Sequence, residues 1–113
     1  MKTSELTGAA LDWAVAKCAG HNVFIKHAPL QVMYTPKGKR SFYIYTPSTD
    51  WAQGGPIIER ERITVMALSN DWEAQSQKRP VVCIEGPTAL IAGMRCYVAS
   101  MLGDTVEVPP ELL

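Results

Sequence analysis

The spacing of apolar residues changes several times along the chain, and each change marks an element. Leu6, Ala9, Ala10, Trp13 and Ala16 recur at steps of three and four, which predicts a helix with one apolar stripe. Thr3 or Ser4 is placed to cap its start and Gly20 to stop it, with Asp12 and Lys17 expected to face water. Between His21 and Leu30, β-branched and aromatic residues mix and end at Ala28-Pro29, which reads as an irregular link or a short edge strand. Strand formers at 31–35 and 41–45 flank Pro36-Lys37-Gly38-Lys39, a candidate hairpin. Asp50 followed three residues later by Gln53 has the form of a capping box. It predicts a helix from Asp50 whose first two turns are weakened by Gly54, Gly55 and Pro56, the alternative being a start at Pro56 itself. Ile63 to Leu68 reads as a strand, and Ser69-Asn70-Asp71 turns it toward Trp72 to Gln75. Val81 to Ile84 forms a short, fully apolar strand stopped by Gly86-Pro87. Thr88 then caps a helix to about Leu102, with Ile91, Met94, Val98 and Met101 on one face and Gly103 as its stop.

Three helices and about four short strands, too closely spaced for helical crossovers, predict an α+β fold. The expected arrangement is one small antiparallel sheet of about four strands packed with three helices, αβα-sandwich-like. It forms a single domain over 1–113, with 103–113 as an extended carboxy-terminal tail. A chain of 113 residues, 47% hydrophobic and 19% charged, has room for one core and is too apolar to be disordered. Eleven basic residues balance eleven acidic ones. This speaks against a nucleic-acid binder, which needs a positive excess, and leaves little repulsion between copies, so a homodimer or higher homo-oligomer is expected. Cys18, Cys83 and Cys96 are widely spaced in apolar segments and no CxxC is present, while His21 and His27 have no second ligand cluster nearby. Reduced, buried thiols in a cytoplasmic protein without metal or cofactor are the expectation. The first twenty residues carry acidic side chains and no long apolar run, so neither a signal peptide nor a membrane span is expected.

Three passages, LTGAALDWAVAKCAG, PSTDWAQGGPIIERE and GPTALIAGMRCYVASMLGDTVEVP, together resemble the small NinX-like family of tailed-phage proteins encoded among the accessory genes of lambda-like phages. More loosely, the order of helix, STDW, sheet and final helix is similar to phage α-β-α sandwich domains. The resemblance implies a phage or prophage origin, work in the cytoplasm of the host bacterium and an α+β sandwich. It also suggests the kind of accessory role, counter-defence included, by which small phage proteins redirect host machinery. It brings no catalytic residues with it.

The stretch from Ser48 to Pro56 is the best candidate for a site. A helix start preceded by Ser48, Thr49 and Asp50 presents unpaired backbone amides, and Gly54 and Gly55 let a ligand approach the main chain. Trp51 could stack on a planar base, with Arg60, Arg62 or Arg95 as counter-charges for a phosphate or carboxylate. The plainer alternative is that the three polar residues only cap the helix while Trp51 packs in the core. The segment lacks the spacing of a P-loop or a dinucleotide fingerprint. Cys18 with His21 sits at a helix carboxy-terminus, which disfavours a thiolate. Glu59, Arg60, Glu61 and Arg62 read as a solvated face. Lys37, Lys39 and Arg40, interleaved with Tyr34, Phe42, Tyr43 and Tyr45, could bind single-stranded nucleic acid or merely tip a hairpin. Gly93, inside the last helix, calls for a close neighbour within the fold or across a dimer. The expected function is non-enzymatic sequestration of a small anionic, nucleotide-like ligand. A module that binds a host protein is the alternative, and a nucleic-acid accessory factor a weaker one.

Overall fold

A computed structural model describes residues 1–113. The elements run α1 (Gly8–Ala19), β1 (Asn22–His27), β2 (Leu30–Thr35), β3 (Tyr43–Ile44), α2 (Trp51–Arg60), β4 (Thr64–Ala67), β5 (Trp72–Gln75), β6 (Cys83–Gly86) and α3 (Ala89–Leu102). Short 3-10 turns occupy Thr3–Glu5 and Pro110–Leu112. The α+β class is as the sequence predicts. The strands, however, number six and form two antiparallel sheets, β1-β2-β3 and β4-β5-β6, in place of one sheet of about four.

The helices hold these sheets together. Small residues on α1 (Ala10, Ala14, Ala16) alternate with Leu11 and Val15, all buried, and let α3 pack closely against it. Every residue of α3 from Ala92 to Ala99 is buried, so this helix runs through the middle of the molecule. The sheet β4-β5-β6 covers one side of α3, α1 and α2 take other sides, and β1-β2 pack on α1. Gly20 ends α1 in the left-handed region at φ 75°, the conformation glycine tolerates best.

Several expectations change on contact with the structure. Thr3 and Ser4 do not cap α1; Thr3 sits in the preceding 3-10 turn and its hydroxyl donates to the Gly103 carbonyl at 2.7 Å. Thr7 stands at the cap position and makes no side-chain bond there. Lys17 is exposed, but Asp12 is only 4% exposed. The helix face that carries it is covered by the 46–50 loop, whose Ser48 amide donates to Asp12 Oδ1 at 2.8 Å. The 22–27 stretch is a full edge strand, paired with β2 from Asn22↔Thr35 to His27↔Leu30, so Ala28-Pro29 forms a hairpin turn rather than the end of a link. The hairpin expected across 36–39 is present but short, with Met33↔Ile44 and Tyr34↔Tyr43 as its pairs. The segment after Gly103 is extended and held. Thr105 bridges Lys2, the terminal ammonium of Met1 donates to the Val106 carbonyl at 3.0 Å, and Val106 and Leu112 are buried. Cys83 is exposed on β6, because alternate residues of that strand face outward, so only Cys96 is a fully buried thiol.

Candidate functional site

Two helices begin at one cleft. Asp50 starts α2, as the sequence predicts, with its Oδ1 accepting from the Ala52 amide at 2.9 Å. Gln53 does not complete a capping box. Its side chain turns back to accept from the Thr46 amide and donate to the Ile44 carbonyl, tying the helix to β3. Thr88 starts α3, its Oγ1 accepting from the Ile91 amide at 3.1 Å. Between the two starts lies a cleft of about 450 Å³ lined by Ser48, Thr49, Trp51, Trp72, Thr88 and the first residues of α3, Ala89 to Ile91. The amides of Trp51, Ala89 and Leu90 have no acceptor within the protein, as is normal for a first helical turn. Each helix contributes the positive end of its dipole here. Trp51 is 57% exposed, so it is not a core residue, and Trp72 is half-buried. The cleft therefore combines two indole rings with two helix starts, and no lysine, arginine or carboxylate lines it.

The remaining candidates are dispersed. Gly54 is not an open approach for a ligand: a Cβ there would lie 2.3 Å from the Pro47 carbonyl and 2.6 Å from Leu90 Cδ1, so the glycine exists to let α2 pack. Gly55 meets only Trp51 at an ordinary 3.5 Å. Arg60 lies at the far end of α2, about 14 Å from Trp51 at 1.5 Å per residue. There its Nε donates to Glu61 Oε2 at 2.9 Å and its guanidinium lies 5.7 Å from the centre of the Tyr97 ring. The bond to Glu61 keeps that guanidinium strongly protonated. Arg60 lines a separate cleft with His21, Tyr34, Tyr45 and Gln53. Arg62 follows the helix at φ 55° and is exposed. Arg95 is buried inside α3, donating from Nε to the Leu6 carbonyl at 2.8 Å and from Nη1 to the Glu85 carbonyl at 2.9 Å. It ties the amino-terminal segment to β6, on the rim of a third cleft with Ser4 and Asp71. Of nine candidates, Ser48, Thr49 and Trp51 line the cleft, Asp50 caps its helix, and the three arginines stand elsewhere.

Other candidate chemistry resolves into packing. Burial pushes the Cys18 and Cys96 thiols up to about 11, so both stay protonated near neutral pH. Glu61 pairs with Lys78 at 2.6 Å as well as with Arg60, which lowers its carboxyl, while Glu59 and Arg62 are exposed and stand in no ion pair. The aromatics near Lys37, Lys39 and Arg40 stack on one another: Tyr34 and Tyr45 centroids are 4.3 Å apart, and Phe24 and Phe42 meet edge-on at 4.6 Å. Gly93 is explained within the fold, since a Cβ there would lie 2.8 Å from Ile58 Cδ1. Sequence reasoning missed Trp72 and the start of α3 as parts of the cleft. Thr88 was legible as a cap, but nothing local says that two caps 38 positions apart meet.

A family model described as Bacteriophage P22, NinX matches residues 2–101, nearly the whole chain. No curated protein matches it.

Proposed function

The chain belongs to the bacteriophage P22 NinX family, and from that premise we propose that this phage accessory protein acts by binding, sequestering a small anionic, nucleotide-like ligand in the cleft between α2 and α3. The observation that carries this reading is the meeting of two helix starts with Trp51 and Trp72 in one cleft. Helix starts favour anions through free amides and the dipole. Indole faces favour a flat, electron-poor ring, and base–aromatic stacking contributes about 1–3 kcal/mol per base. A volume of about 450 Å³ lies in the range of small-molecule sites. In this arrangement phosphate would accept hydrogen bonds from free backbone amides, chiefly those of Ala89 and Leu90, because the start of α2 already carries the Asp50 carboxylate. The guanidinium of Arg60 is too distant and too occupied with Glu61 to take part.

The test is a thermal-shift and tryptophan-quenching screen with nucleoside monophosphates and cyclic nucleotides, using the free nucleosides as uncharged controls. At a hundredfold excess over Kd a true ligand stabilises the fold by about 2.7 kcal/mol. Trp51→Ala abolishes the shift while leaving the protein folded, because the ring is exposed, and Arg60→Ala leaves the shift intact. A flat response across the panel, or binding that depends on Arg60 and not Trp51, overturns the reading.

A further inference from the structure

Asp12 is the one buried carboxylate of the molecule, and nothing inside the protein balances its charge. It is 4% exposed, its single protein hydrogen bond comes from the Ser48 amide, and none of the three ion pairs in the structure includes it. The Ser48 hydroxyl lies near enough to favour the charged form but makes no hydrogen bond of good geometry and is left buried without a partner. A lone ionised carboxylate in such surroundings is costly unless a cation or several donors meet it. Asp12 does not face solid protein on every side. It lines a cleft of about 260 Å³ whose walls come from α1, β2, Ile44 of β3 and the 46–49 loop, and which adjoins the cleft between α2 and α3 at Thr49.

We propose that this second cleft binds a small organic ammonium ion, with the Asp12 carboxylate as its counter-charge. Leu30 and Val32 supply an apolar wall for a short alkyl stem, and Gln31, Thr46 and Thr49 supply acceptor oxygens for the remaining ammonium hydrogens. No basic residue lines the cleft, so the cation must come from outside. Asp12 is the one acidic side chain of the cleft and belongs to no cluster of metal-ligating groups, a set too weakly charged for a divalent ion but suited to one ammonium group. Gly8 and Ala9 of the first turn of α1 also line the cleft, so the partial positive charge of the helix start opposes a cation there, and the full negative charge of Asp12, one turn further on, outweighs it. Burial, which pushes the carboxyl up to about 6, is the cost that an incoming cation would relieve.

The experiment uses the full chain with n-butylammonium as probe and 1-butanol and butyrate as uncharged and anionic controls. Carboxyl carbon-13 NMR follows Asp12 across pH while thermal shift follows stability. The ammonium probe alone raises Tm and moves the Asp12 titration to lower pH, Asp12→Asn weakens binding at least tenfold, and Trp51→Ala leaves it unchanged. If 1-butanol matches the ammonium probe, or Asp12 titrates identically with and without it, the site does not exist as described. Should Asp12→Asn fail to fold, the wild-type carboxyl titration decides alone.

Discussion

Gly54 and Gly93 both stand where α2 approaches α3, yet a methyl group would strike different things at each. At Gly54 it meets the Pro47 carbonyl at 2.3 Å, fixed backbone that cannot step aside; at Gly93 it meets the tip of Ile58, a flexible side chain. Overpacking typically costs about 1–3 kcal/mol, while alanine in a helix gains about 1 kcal/mol over glycine. Gly54→Ala is therefore expected to lose on the order of 3 kcal/mol in urea denaturation, and Gly93→Ala to lie within about 1 kcal/mol of wild type. Asp12 makes a second prediction. Its carboxyl is raised from 3.8 to about 6 in the folded state, so the folded chain holds its proton more tightly than the unfolded one. This contribution favours folding below about pH 4 and is lost as pH rises through 6, a change on the order of 3 kcal/mol at 1.36 kcal/mol per pKa unit. A stability–pH profile of Asp12→Asn should lack that decline; a profile parallel to wild type would contradict it. Gly93 was legible as a place of close approach, whereas Gly54 and Asp12 were not. Asp12 sits beside an apolar stripe and reads as solvent-facing, because the loop that covers it arrives from 36 positions away.

Elements were legible where one local signal sufficed. The helix ends at Gly20 and Gly103 follow from glycine after a periodic apolar run, and α3 follows from Thr88 and a long stripe. β1 was legible only as one of two readings, an irregular link or a short edge strand, since Ala28-Pro29 looks like a break; pairing with β2 decides for the edge strand. α2 shows how two local signals conflict. It contains Gly54, Gly55 and Pro56 and is a poor helix by propensity, yet it forms because Asp50 caps it and Gln53 anchors it to 44 and 46. Gln53→Ala removes two bonds at once and should destabilise by about 1–2 kcal/mol. Asp50→Ala and Thr88→Ala remove one cap each and should cost about 1 kcal/mol apiece. Urea midpoints of the three variants test the ranking, and a Gln53→Ala protein as stable as wild type would mean that α2 stands on packing alone.

Sequence distance was a poor guide to distance in space at the scale of the whole molecule. Arg60 and Arg62 are near Trp51 in the chain but lie at the opposite end of α2, whereas Thr88 and Trp72 are far in the chain and share its cleft. The same scale raises the question of self-association. In the sheet β1-β2-β3 the Tyr45 amide bonds the Val32 carbonyl, so Gln31, Met33 and Thr35 bond β1 and the amide groups of Val23, Ile25 and His27 point away from the sheet. On its outer face Phe24, Met33 and Ile44 stand in one row across the three strands, with Phe42 against Phe24 and only Met33 partly covered. A free edge beside an exposed apolar row is a template for another strand. An antiparallel copy of β1 centred on Phe24 would set that ring against its own counterpart and Lys26 against Asn22, so no like charges oppose, and the chain's zero formal charge adds no repulsion. Native mass spectrometry of freshly purified protein should accordingly show a dimer. Phe24→Lys, which places two ammonium groups face to face at the centre of that register, should give a folded monomer with an unchanged circular dichroism spectrum. A monomeric wild type would instead leave the apolar row free for a host protein. The same spectra report any co-purifying mass, and an excess that disappears in Trp51→Ala but persists in Phe24→Lys would locate the ligand between α2 and α3, independent of the dimer.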